Sequence, residues 1–240
     1  MLRSLVGSEM CIRDRRKLPE ADQKALQQVL EQTLGFLASR DDYSKRLAAL
    51  KQQLADAPRL TTESQRELAR LLATKPAPVA QRYASQTVPQ LEQLLSERTT
   101  EQGELQKSLS EANSLIINSQ TRPERAQSEI SINQTRSQQI NTSLKLGKDG
   151  SKSLSADQRN QLNAELASLN ALTLLRRQEL AGNSLLQDLG NAQHDLLMER
   201  AARLEQEIQD LQTLINEKRL AQSQKTVTEQ SLEAQKAGGS

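Results

Sequence analysis

Two side chains in this 240-residue sequence carry chemistry that is rare elsewhere in it, and each occurs once: Cys11 in SEMCIRD and His194 in NAQHDLLMER. A structural zinc site draws on several Cys and His ligands together. A serine triad needs a base that a third group orients. One His with Asp195 beside it, in the middle of a helical pattern, supplies neither arrangement, so His194 reads as a surface or seam residue. Cys11 has no second Cys and no nearby His, which makes it a poor redox or metal ligand. Carboxylates are plentiful, for example Glu205, Glu207 and Asp210, but on a regular helix they read as a solvated face. No G-x-S-x-G, P-loop, G-x-G-x-x-G or H-E-x-x-H motif occurs. The expectation is a protein that is not an enzyme, with no catalytic, cofactor-binding or metal-ligating residues and no cofactor.

Binding chemistry is equally constrained. Arg176-Arg177 and Lys218-Arg219 are isolated pairs, and no aromatic residue lies beyond Tyr83 to stack on a base. These cations read as salt-bridge partners for neighbouring Glu residues, and no nucleic-acid partner is expected. The formal net charge is only +2, of which Arg3, Arg13 and Arg15 against Glu9 and Asp14 contribute +1. Near-neutrality gives no strong pull toward nucleic acid or anionic lipid. No stretch approaches 18 consecutive apolar residues, so no membrane-spanning segment is expected.

The elements that must position whatever the chain does are helical. Hydrophobic residues are 35% of the sequence, against an ordinary share of about 45–50%. Aromatics are limited to Phe36, Tyr43 and Tyr83. Such a chain cannot fill a thick core, but it can bury narrow seams between long helices, which need two or three apolar positions per heptad. Val29, Phe36, Tyr43, Leu50 and Ala57 recur every seventh residue, with Leu26, Leu47 and Leu54 interleaved. Pro19 suits a first turn and Pro58 predicts a kink or break. A shorter amphipathic piece follows over 62–73, then KPAPVAQRYASQ as a connector.

A second helix is predicted over 87–119 on Leu91, Leu95, Leu105, Leu109, Ala112 and Ile116, interrupted by Arg98 and Gln102. Thr121 is expected to cap a third helix, with Pro123 and Glu124 in its first turn. That helix carries Ala126, Ile130, Ile140 and Leu144 and ends at the polar loop LGKDGSKS. Ser155 and Gln158 have the spacing of a capping box for a fourth helix, which carries Leu162, Leu166, Leu169, Leu172 and Leu180 up to Gly182. Asn183 or Ser184 is expected to cap a fifth, whose run is Leu197, Ala201, Leu204, Ile208, Leu211 and Ile215. The pattern fades near Leu220. The fold class is therefore all-α: long antiparallel helical hairpins forming an elongated, coiled-coil-like bundle.

The first fifteen residues do not share this pattern. They lack the apolar core of a secretory signal. LVGSEMCIRD back-translates to CTC GTG GGC TCG GAG ATG TGT ATA AGA GAC, which resembles a transposase-type sequencing adaptor read in frame. Residues 1–15 are therefore expected to be a non-native segment, with the native start and any signal peptide lost and no Cys in what remains. The expected organisation is 1–15 foreign, 16–229 one helical domain, and 230–240 a flexible tail or linker.

Three stretches carry a resemblance. TRPERAQ (Thr121–Gln127), LAGNSLLQDLGNAQHD (Leu180–Asp195) and RLEQEIQDLQTLINEKRL (Arg203–Leu220) resemble, in order and spacing, the large members of the small-conductance mechanosensitive channel family. The resemblance extends over most of 18–229. It implies the N-terminal periplasmic domain called the porin domain, which has no β-barrel, in a bacterial inner-membrane protein. It further implies a channel that assembles as a heptamer and releases solutes on hypo-osmotic shock. The remainder of that channel chain is then the partner, and the segment here modulates gating without forming the pore. The family assigns no catalytic residues to this region. A free-standing periplasmic coiled-coil scaffold or adaptor fits the composition as well.

Overall fold

The computed structural model describes residues 18–239. The foreign segment expected over 1–15 lies outside the described residues. The chain forms helix α1 (Glu20–Ala73), a one-turn helix α2 (Val79–Arg82), helix α3 (Val88–Leu146), a hairpin of β1 (Lys148–Asp149) and β2 (Lys152–Ser153), and helix α4 (Ala156–Gly238). The all-α reading holds. The hairpin occupies the expected polar loop, where Gly147 and Gly150 take positive φ values of 68° and 63°.

Three long helices replace the five separate ones expected. Helix α1 continues through Pro58 and α3 through Pro123, while α4 continues through Gly182. Proline forfeits one backbone hydrogen bond. Buried Leu54 and Ala57 pin the chain just before Pro58, so packing holds the helix across it. Pro123 is likewise bracketed by buried Ser119 and Ala126. Packing on both sides outweighs the local break signal, so Thr121, Asn183 and Ser184 lie inside helices and cap nothing.

Two starts follow the sequence. The Gln158 amide donates to Ser155 Oγ at 3.1 Å while the Ser155 amide donates to Gln158 Oε1 at 2.9 Å, the expected capping box. Thr87 and Gln90 make the same reciprocal pair at the start of α3, at 3.4 and 3.0 Å. At the other end α4 runs to Gly238, so the helix takes in most of the expected 230–240 tail. Every described residue from Arg219 onward is exposed. Gln, Glu, Lys and Ala keep the backbone helical there by local propensity, with no seam to join.

Contacts divide the chain into two compact units. One holds the residues up to Ala55 with Gln120–Asn183; the other holds Asp56–Ser119 with the residues from Ser184 onward. Pro58, Pro123 and Gly182 each fall within a few residues of a division point, so the break signals mark where contacts change and not where helices end.

In the first unit, α4 runs antiparallel to α3. Arg136 pairs with Glu165 at 2.7 Å, and further back along α3 Glu129 pairs with Arg176 further along α4. Buried Asn133 donates to Thr173 Oγ1 at 3.4 Å between them. The same α4 stretch runs parallel to α1, since Gln161 bonds Gln32 and Gly182 meets Leu54. Ile140, Ala126, Leu50, Leu54, Ala164 and Leu175 are buried.

In the second unit the seam predicted over Leu204, Ile208, Leu211 and Ile215 is buried, with Leu214 added. Val79, Val88, Leu91, Leu211, Leu214 and Ile215 make one cluster, against which Tyr83, Leu94 and Leu95 pack. Burying a leucine contributes roughly 1.5–3 kcal/mol, so this small cluster is a main source of cohesion in that unit.

Two glycines in helices separate packing from propensity. A Cβ on Gly182 would lie 2.4 Å from both Leu54 methyl carbons, whereas one on Gly35 of α1 meets nothing within 4 Å. Gly182→Ala is therefore expected to destabilise the fold by about 1–3 kcal/mol through overpacking. Gly35→Ala should stabilise it by roughly 0.5–1 kcal/mol through helix propensity. Urea unfolding followed by circular dichroism measures both; equal and same-signed changes would mean α4 does not approach α1 there.

Candidate functional site

The connector between α1 and α3, the KPAPVAQRYASQ stretch, leaves one helix end and starts another, so its carbonyls and amides lose their helical partners. Helix α4 supplies replacements. Arg203 donates from Nη1 to Thr74 O at 3.0 Å and from Nη2 to Leu71 O, closing the C-terminus of α1. One turn on, Glu207 accepts from the Tyr83 hydroxyl at 3.2 Å and from Arg98 Nε at 3.3 Å, with Arg82 at 3.9 Å. Three turns further, Lys218 donates to Ala84 O at 2.8 Å and to Gln86 O. Arg219 pairs with Glu92 just inside α3.

This arrangement corrects the sequence reading at Glu207. Its neighbours Glu205 and Gln206 are exposed, but the Glu207 side chain is only 16% exposed and faces the connector. Arg98, read as an interruption of the α3 stripe, is the cation that balances it. The Arg82 guanidinium also lies 5.3 Å from the centre of the Tyr83 ring, within cation–π range. Sequence periodicity marks positions 203, 207 and 218 only as flanks of the seam. Their partners lie more than a hundred residues away, so nothing local announces them. The one available signal was Tyr83 itself, one of three aromatic residues and placed in a proline-containing connector.

A second charged group borders the first. Arg70, on the next turn of α1, together with Arg200 of α4 at 3.4 Å, holds the Glu67 carboxyl down at about 2. Glu67 therefore stays ionised well below neutral pH. Both groups position chain segments.

The residues singled out for chemistry remain apart. His194 is partly exposed on α4, with Nδ1 3.7 Å from Asp195 Oδ1, an i,i+1 contact on the helix surface. The expected pairing of Arg176 with glutamates holds, through Glu129 and Glu179. Among the described residues no group of three or more His, Cys, Asp and Glu is placed to hold a metal ion. A groove of about 360 Å³ in the second unit sets Asp188, Asn191 and Asp195 opposite Thr61 and Gln65, open to solvent.

With this geometry in view, comparison with known proteins identifies relatives. The sequence profile of the family described as mechanosensitive ion channel porin domain matches residues 12–240. The match takes in the last residues of the segment set aside as foreign. The chain is also 30% identical over 217 residues to the mechanosensitive channel MscK of Escherichia coli strain K12. That alignment covers 90% of this chain and 19% of the relative, so the chain spans about a fifth of that channel's length. No solved structure matches the chain.

If Glu207 is the hub of the connector, removing its carboxylate takes the acceptor from the Tyr83 hydroxyl and leaves Arg98 with Glu101 alone, in a half-buried place. Glu207→Ala is expected to cost about 1–3 kcal/mol, and Glu205→Ala, two residues away on the exposed face, about 0.5 kcal/mol or less. Denaturant midpoints of the two variants compare them; similar losses would show that Glu207 holds nothing.

Proposed function

This chain belongs to the mechanosensitive ion channel porin domain family, and from that membership we propose that it is the periplasmic, extramembrane part of an inner-membrane channel that releases solutes on hypo-osmotic shock. The observation that carries this reading is the near-full-length family match, reinforced by the relative's identity as a mechanosensitive channel. The remainder of the channel chain is the domain's partner, and a homo-oligomer is the assembly in which it works. Its contribution is mechanical, not enzymatic.

Membrane tension acts where protein meets lipid. Among the described residues no helix is long and apolar enough to cross a membrane. In this reading the domain is neither the tension sensor nor the pore. It acts on gating only through contacts that differ between the closed and open channel, and its effect equals the difference in their free energies. About 1.4 kcal/mol of such difference changes the open-to-closed ratio tenfold. The connector clamp suits this role: Arg203, Glu207 and Lys218 bind connector and helix ends into one stiff element, able to transmit a contact and not absorb it.

Removing residues 16–229 from the full-length channel is the test. The expected outcome in patch-clamp recording under suction is tension-activated current that persists with a shifted threshold or altered inactivation. Correctly inserted truncated channels that pass no current at any tension would make the domain an obligatory part of the gate. An unchanged threshold and inactivation would remove the modulatory role.

A further inference from the structure

Two of the six prolines stand inside long helices, Pro58 in α1 and Pro123 in α3. The others keep to ordinary places, Pro19 and Pro89 at helix starts and Pro76 and Pro78 in the connector. An interior proline has no amide to give to the carbonyl four residues earlier, and its ring crowds that carbonyl. In α1 that carbonyl belongs to Leu54, and in α3 to Ser119. Helix α4 has no proline, but its two interior glycines are Gly182 and Gly190, where backbone freedom is greatest.

These positions share one level of the first unit. Leu54 of α1 rests on Gly182 of α4. Glu129 pairs with Arg176 where α3 and α4 run antiparallel; six residues back along α3 is Pro123, and six residues on along α4 is Gly182. Contacts regroup at the same level. Helix α1 passes from one unit to the other between Ala55 and Asp56, α3 between Ser119 and Gln120, and α4 between Asn183 and Ser184. The cross-helix ion pairs described above each stay inside one unit, Arg136–Glu165 and Arg176–Glu129 in the first, Arg98–Glu207 and Arg219–Glu92 in the second.

We propose that this level is a hinge: α1, α3 and α4 flex together at Pro58, Pro123 and Gly182, and the two units swing as bodies while each keeps its own seam. One weak helix among three would be splinted by the others, because an unbroken helix curves only gently. At this level none of the three has ordinary stiffness. Two carry proline, the commonest cause of a sharp kink, and the third carries glycine. The Leu54 contact suits such movement, since its methyl groups lie on bare backbone with no α4 side chain to lock them. The hinge is a property of this chain alone and does not depend on the channel reading.

Paired nitroxide labels on α3 test it, in the full chain with Cys11→Ser as background. Gln106→Cys and Gln139→Cys are exposed positions on either side of Pro123, about 50 Å apart along a straight helix. A bend of roughly 40° between them brings the labels about 3 Å closer. Electron–electron double resonance should give a distance distribution broader than that of Gln93→Cys with Asn118→Cys, a pair inside the second unit, with the excess width on the short side. Pro58→Ala combined with Pro123→Ala restores both backbone bonds and should narrow the distribution to the control width, with the helical circular dichroism unchanged. Pro123→Ala alone should narrow it in part. A distribution as narrow as the control's, at whatever distance, would mean a rigid helix or a fixed kink and would overturn the proposal. So would a broad distribution that the proline substitutions leave unchanged.

Discussion

With so few aromatic side chains, these helices can exclude water only where their backbones come close, and glycine on α4 sets that distance. Gly182 is where the methyl groups of Leu54 rest on the α4 backbone. Gly190 does the same for Leu115 and Ile116, whose atoms would lie 3.1–3.4 Å from any added Cβ. A helix interior glycine costs up to about 1 kcal/mol in propensity, and the leucines seated on it recover more than that by leaving water. Each unit carries one such contact, and the leucine seams on either side depend on the spacing it sets.

Leucine seams alone leave sliding and rotation open, because one heptad looks much like the next. Polar residues remove that freedom. In the first unit Asn133 with Thr173, Arg136 with Glu165, and Arg176 with Glu129 can be satisfied together in only one register of α3 on α4. In the second unit Glu207 with Tyr83 and Arg98, and Arg203 on the last carbonyls of α1, fix α4 against both other helices. Isolated surface pairs of this kind contribute little to stability. Their value here is in selecting one arrangement among near-equal ones, the use for which buried polar residues in helical bundles are best attested.

The sequence made the helical class and most of the seam legible, because heptad spacing survives any choice of neighbour. It also showed the Ser155–Gln158 start, where the signal lies entirely within four residues. Pro58 signals a kink or break, Pro123 a helix start and Gly182 a helix end, yet the helices run through all three, since local propensity takes no account of the packing around each. Glu207, Lys218 and Arg203 were not legible as a clamp, because a charged residue at a seam flank looks the same whether it faces water or a connector from another part of the chain. The end of the helix past Leu220 was misjudged for the opposite reason: seam periodicity vanishes there while helix-forming composition does not.

The account rests on α4 lying parallel to α1 and antiparallel to α3 in one register, and side-chain bridging reads this directly. With Cys11→Ser as background, Gln32→Cys combined with Gln161→Cys should be linked within one chain by a short bismaleimide, because these side chains touch across α1 and α4. Gln32→Cys combined with Gln178→Cys, several turns further along α4, should not be linked. Preferential bridging of the second pair would mean that the helices run in another register or direction, and the seams, the clamp and the hinge would all have to be reassigned.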